Sequence, residues 1–381
     1  MSAAASDSER RRAPRRGAVA ESTRGGGAPD LTAVSRRIIS WYRREGRALP
    51  WRASRDPYAI WISEVMLQQT RVAAALPYYE GFIDRFPGVE ALAAAAADEV
   101  LQAWAGLGYY SRGRNLHRAA RRIVAEHGGV FPRCAGAIRS LPGIGEYTAA
   151  AVGSIAFGHP RPPLDGNVER VLCRYLALDG DATRGETRRR IRRAAAEALD
   201  GLRPGLHNQA MMELGALICV PRNPLCESCP LSRSCRGRRL GDPERFPRAH
   251  RERRPEEQHW VAAVVTVGER VLVVRSPIDA ELLPDQWGVP LARRRRDGAP
   301  SPAAARRAAR ARARALFGNL ERGSRSAAVV RHSITWRRLS IHPVRLSATA
   351  GPGVEVRLLD PAEANTLPAL HRKVITRALG G

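Results

Sequence analysis

Cys219, Cys226, Cys229 and Cys235 follow one another at C-x6-C-x2-C-x5-C, and no other feature restricts the fold of this chain so strongly. Four thiols within seventeen residues, with Pro221, Pro224 and Pro230 limiting the backbone around them, can converge on one metal centre. Structural zinc sites usually show two separated C-x2-C pairs, and this run has one. The spacing therefore favours an iron–sulfur cluster over zinc and leaves both open. Six cysteines in 381 residues are too sparse for a disulfide framework, and the first residues do not read as a signal peptide.

Sixty-three basic residues against thirty-seven acidic ones give a net charge of +26. A potential of that size attracts polyanions and favours phosphate contacts. Arginine carries nearly all of it, since Lys373 is the only lysine. A GC-rich genome also writes arginine often, so charge raises the expectation of nucleic acid without establishing it. No apolar run approaches the roughly twenty residues of a membrane span. A cytoplasmic protein is expected, and separately a monomer. Residues 1–30, made mainly of Arg, Ala, Gly and Ser, read as a disordered basic tail.

From 31 to 235 the apolar positions recur at three- and four-residue spacing, for instance over 31–42, 58–67, 89–104, 114–125, 147–157, 167–178 and 207–219. Residues 236–257 lack an aliphatic cluster and read as a linker. Beyond them the period changes to two. HWVAAVVTVGERVLVVRS predicts two strands about a turn, AAVVRHSITW and LSIHPVRLSA predict further strands, and helices are expected at 302–316 and near 367–378. The fold class expected is a mainly α domain carrying the cysteine loop (219–235), followed by a smaller α+β domain over 258–378.

LPGIGEYTAAAVGSIAF, from Leu141 to Phe157, has the form of a helix–hairpin–helix. Gly143 and Gly145 let the backbone approach a phosphate, and the helix that follows offers free N–H groups. Together with WISEVMLQQTRV, LGYYSRGRNL, LDGNVERVLCRYL and the cysteine loop, this order resembles the MutY-type adenine DNA glycosylases of the endonuclease III superfamily over about residues 31–235. The resemblance implies base-excision repair of adenine mispaired with 8-oxoguanine or guanine in double-stranded DNA, and a 4Fe–4S cluster on the four cysteines. A thymine mismatch glycosylase on the same fold, or a non-catalytic iron–sulfur DNA-binding protein, is the alternative.

The residues make chemical sense of that activity. Asp165 sits where a helix should begin and can be an N-cap. A fixed carboxylate there would also stabilise an oxocarbenium-like deoxyribose, and the resemblance implies that Asn167 orients it. Glu64 shares a helical face with Gln68 and Arg71. If that face lines a pocket, burial would raise its pKa and let it protonate the leaving adenine. Relatives that also cut the backbone carry a lysine at the Tyr147 position. No lysine occurs in residues 1–372, so the enzyme is expected to be monofunctional. The resemblance further puts Gln69 and Tyr109 as wedges in the duplex, with Leu141, Gly143 and Gly145 on the DNA. It puts Arg47, Trp51, Arg52 and Gln209 around the adenine.

Residues 258–378 resemble the Nudix-like recognition domain of the same family. No acid lies between Asp297 and Glu321, so metal-dependent pyrophosphate hydrolysis is not expected. Ile334, Thr335 and Trp336 stand where many relatives carry a Phe-Ser-His loop that reads the opposite 8-oxoguanine.

Overall fold

The computed structural model describes residues 30–248, 255–294, 298–317, 320–349 and 356–380. The basic tail and the middle of the expected linker lie outside them.

The helical half is built as two lobes. One is contiguous in sequence: α2 (Pro57–Met66), α3 (Val72–Arg85), α4 (Val89–Ala94), α5 (Ala97–Ala103), α6 (Ser111–His127), α7 (Ala135–Ser140) and α8 (Glu146–Phe157) close around Trp61, Phe82, Trp104, Leu116 and Ile123. The other joins α1 (Thr32–Glu45) to α9 (Gly166–Leu176), α10 (Gly185–Ala198) and α11 (Pro204–Leu217) around Ile38, Leu172, Ile191 and Leu214. Burial of side chains this large is the main stabilising term for such helices, which are too short to hold alone.

Three expectations are corrected here. The 89–104 periodicity belongs to two helices, because the chain turns through an extended Ala95 and Ala96. α3 and α10 were not anticipated. The first contains Pro77 and the second is crowded with arginine. Residues 236–248, read as linker, fold back onto the second lobe through α12 (Arg236–Arg239). Gly237 lies against the Arg174 backbone with no room for a Cβ, and Phe246 is buried in that lobe's core.

The C-terminal half is one sheet with a helix on each face. β1 (Glu256–Val267) pairs antiparallel with β2 (Arg270–Arg275), around a turn in which Gly268 takes φ 59°. Two short strands follow, β3 (Trp287–Gly288) on β2 and β4 (Leu291–Arg293) on β1. The helix α13 (Pro302–Phe317) comes next, then β5 (Arg325–Ser326), β6 (Val330–Ile334), β7 (Arg337–Ser347), β8 (Val356–Leu359) and finally α14 (Ala369–Leu379). β7 lies parallel to β1, in register from Glu256↔Arg337 to Thr266↔Ser347. Strand alternation sorts the core. Trp260, Ala262 and Val264 share a core with α14, while Val261, Ala263 and Val265 share one with the Ala305, Ala309, Ala313 and Phe317 stripe of α13. Between the domains, Arg357 pairs with Asp98 at 2.6 Å, and its guanidinium lies 4.1 Å from the centroid of the Trp287 ring.

Candidate active site

The two helical lobes leave between them a cavity of about 390 Å³. Glu64 reaches it from one lobe and Asp165 from the other, and Glu213 of the second lobe also lines it. Glu64, on the last turns of α2, is 7% exposed, and the Tyr147 hydroxyl at the start of α8 donates to its Oε2 at 2.8 Å. Asp165 is the N-cap of α9. Its Oδ1 accepts from the backbone N–H of Asn167 (3.0 Å) and of Val168 (2.8 Å), and its Oδ2 accepts from the Asn167 side chain at 2.8 Å. Cap and cavity wall are thus one residue.

The two acids sit in different environments. Burial pushes Glu64 up to about 7. The Tyr147 hydrogen bond opposes this, the Asp165 charge adds to it, and Arg52 works against it. Near neutral pH a large fraction of Glu64 therefore holds a proton to give. Burial raises Asp165 as well, but three N–H donors oppose the shift, and Arg170 adds its charge to theirs. Donors aimed at the anion favour the ionised form, the state needed to meet positive charge. Burial also drives the Tyr147 phenol well above its ordinary value, so it remains a hydrogen-bond donor.

Opposite the acids, Arg47, Trp51, Arg52 and Gln209 all line the cavity. They are not equally free to meet a guest. Trp51 is 6% exposed and packs edge-on against Tyr79, so it serves core and wall together. Gln209 accepts from Tyr42 and donates to the Gly205 carbonyl. Both arginines converge on Glu213, at 2.6 Å from Arg47 and 2.7 Å from Arg52. Glu213 was not anticipated, since MMELGAL reads as a plain amphipathic helix. Burial alone would raise its carboxyl, but the two arginines outweigh that and hold it at about 2.

Arg170, also unanticipated, links this centre to the cysteine loop. It donates to Asn167 Oδ1 (2.8 Å), to the Cys219 carbonyl (2.7 Å) and to the Gly215 carbonyl (2.7 Å). Arg174 reaches the Cys219 sulfur at 3.5 Å. The four thiols are unbridged. They do not close on a point: among the described residues no group of three or more His, Cys, Asp or Glu side chains is set to hold a metal ion. They do share one neighbourhood. Burial pushes Cys229 up to about 12, and the charges of Cys219, Cys235 and Cys226 all add to that shift.

On the outer surface, Gln69 (φ 58°) and Tyr109 (φ 47°) both hold left-handed backbone. Such strain in residues other than glycine persists only where surroundings over-determine it. Arg112 does so here. Its guanidinium donates to the carbonyls of Val65, Met66 and Gln68 on one side and of Leu107 and Gly108 on the other. Gly143, at φ 78°, has no room for a Cβ against Asn115, whereas the Cβ position of Gly145 at the α8 N-cap faces open space. Leu141 differs from its expected place on the DNA. It is 2% exposed, so its side chain anchors the hairpin from inside the core. Across the domain boundary, Tyr109 shares a cleft of about 370 Å³ with Ile334 and Thr335. Thr335 begins the two-residue β6–β7 turn at φ 55°.

A helical domain with this hairpin and interlobe cavity defines the class. Residues 62–197 match the family model of the HhH-GPD superfamily of base excision DNA repair proteins. Within the superfamily it is of the MutY type. It is 46% identical over 226 residues to the human adenine DNA glycosylase, covering 57% of this chain and 41% of that protein. To the rat adenine DNA glycosylase it is 39% identical over 313 residues, covering 68% of this chain and 60% of that protein. The chain thus spans about half the length of these relatives. A solved thermostable thymine-DNA glycosylase is 29% identical, with a TM-score of 0.50 over 55% of this chain and 97% of that one.

Proposed function

We propose that this chain is a monofunctional glycosylase that hydrolyses the N-glycosidic bond of adenine paired with 8-oxoguanine or guanine in duplex DNA. The observation that carries the reading is the Tyr147–Glu64 pair facing Asp165 in a cavity of nucleobase size. A base reaches it only when extruded from the duplex. Protonated Glu64 gives its proton to adenine N7, the C1′–N9 bond breaks with its electron pair leaving on the base, and ionised Asp165 faces the oxocarbenium-like sugar. Water then adds at C1′ and returns a proton to Glu64. No lysine lines the cavity, and Lys373 lies on α14, so hydrolysis ends the reaction without a Schiff base.

Arg47 and Arg52 would hold the adenine edge, and Gln69 and Tyr109 would occupy the emptied stack. Ile334 and Thr335 would meet the opposite base. The four thiols suit a 4Fe–4S cluster, which fills a wider space than one ion and would be held by Cys219, Cys226, Cys229 and Cys235 beside Arg174. That cluster would supply charge and a rigid strut, while the chemistry rests on the two acids. A monomer acting on chromosomal DNA in the cytoplasm completes the reading.

Single-turnover assays on duplexes with adenine opposite 8-oxoguanine, guanine, cytosine and thymine test it. Release of adenine opposite the first two, leaving an intact strand that breaks only in alkali, is the expected result. Release of thymine from a G·T pair in its place would overturn it. Asp165→Asn should abolish release and keep duplex affinity. The purified protein should be brown, with about four irons per chain.

A further inference from the structure

A second cavity, of about 600 Å³, lies in the C-terminal domain and shares no lining residue with the interlobe cavity. β1 and β2 pair only near their shared turn. Further along, β1 takes β4 and β2 takes β3, and the gap is lined from both strands by Trp260 and Val274. Leu282, Val289 and Leu316 extend the apolar wall. Two polar side chains on this wall have unmet demands. His371 on α14 is 3% exposed, and among the described residues neither its Nδ1 nor the buried Nε of Arg312 on α13 has a partner. Buried polar atoms are nearly always hydrogen-bonded, so two orphans on one cavity ask for a guest. His371 has no freedom to turn away, because its ring lies so close over Gly288 that a Cβ there would stand 2.2 Å from Nε2. Burial holds its imidazole neutral, with a pKa lowered to about 4, so it recognises a guest by hydrogen bonding and not by charge.

The lining also decides the guest's charge. Asp279 and Glu281 balance Arg275 and Arg312, and Arg275 is already bonded to Asp285 at 2.7 Å. Among the described residues no group of three or more His, Cys, Asp or Glu side chains is gathered here to hold a metal ion. Apolar walls, two unpartnered polar groups and balanced charge suit a flat, neutral heterocycle. We infer that this cavity is a second ligand site, which takes an uncharged nucleobase or nucleoside and presents His371 and Arg312 to its polar edge.

Calorimetric titration of the full chain with guanosine, adenosine and guanosine triphosphate tests this. One saturable nucleoside site with Kd below about 1 mM is expected. Leu316→Trp fills the cavity and should weaken binding more than about tenfold with adenine excision unchanged. Arg312→Leu keeps most of the side-chain volume and should weaken binding about fivefold with no loss of melting temperature. Absence of saturation by any nucleoside would overturn the inference. So would binding that Leu316→Trp leaves intact, since the nucleoside would then sit in the interlobe cavity. Tighter binding of the triphosphate than of guanosine would make the site an anion site and overturn it as well.

Discussion

The Tyr147 hydroxyl and Glu64 Oε2 stand 2.8 Å apart, although 83 residues separate them in sequence. The bond spans α2 and α8 and turns a buried acid into a poised one, since it lowers a pKa that burial alone would leave higher. Removing the donor in Tyr147→Phe favours protonated Glu64. The proposed mechanism requires that protonated form, which is lost as pH rises through about 7. In the variant the falling limb of the pH–rate profile should therefore move to higher pH. The maximal single-turnover rate should drop about fivefold from the lost hydrogen bond. A limb that stays in place would show that Tyr147 does not set this ionisation.

Glu213 holds two arginines by the cavity. Glu213→Gln leaves both without their anion and should destabilise the helical domain by about 3 kcal/mol, read from urea midpoints. The pH dependence has a definite sign. Its folded pKa of about 2 lies below the ordinary 4.5, so the contribution is complete above the unfolded value and is lost as pH falls towards about 2. The wild type should lose stability faster than Glu213→Gln across that acid window. Parallel curves would remove the bridge from the account.

Arg170 joins Asn167 to the Cys219 carbonyl. Arg170→Leu should slow adenine release at least about tenfold, since Asn167 loses the partner that aims it at Asp165, with duplex affinity changed less than about twofold. Arg170→Lys keeps the charge but not the fork and should recover only part of the rate. Full recovery would show that charge alone matters.

Thr335 is β-branched and left-handed, which a turn tolerates only at a cost. Thr335→Gly should raise stability of the C-terminal domain by about 1 kcal/mol. It should also narrow the preference for 8-oxoguanine over guanine, measured as a ratio of single-turnover rates, by about fivefold for one lost hydrogen bond. A more stable variant with an unchanged ratio would make Thr335 a turn residue only.

Legibility followed the kind of signal. Glu64, Tyr147 and Asp165 lie in segments whose residue order is distinctive, and the cavity brings them together. The period-two runs foretold β1, β2, β6 and β7, because a sheet covered on both faces still alternates between two cores. What stayed hidden was long-range. Glu213 and Arg112 are ordinary charged letters within helices, and their partners lie on other elements. Gly237 and Phe246 tie residues 236–248 to the second lobe through one close approach and one aromatic ring, too little to alter a charged stretch. The left-handed backbone of Gln69 has no glycine beside it to announce it, and at Tyr109 the neighbouring Gly106 and Gly108 mark a turn without marking the tyrosine.

The division into a contiguous lobe and a composite one has a temporal meaning. Residues 49–157 can gather their own core as soon as they leave the ribosome, and with it Glu64, Tyr147 and the hairpin. The cavity cannot exist then. α1 must wait for α9 and α11, and Arg47 must wait for a partner 166 residues further on. The cavity is therefore complete only once α11 has been made, and a chain interrupted before it would carry the hairpin and Glu64 with no enclosed site beside them.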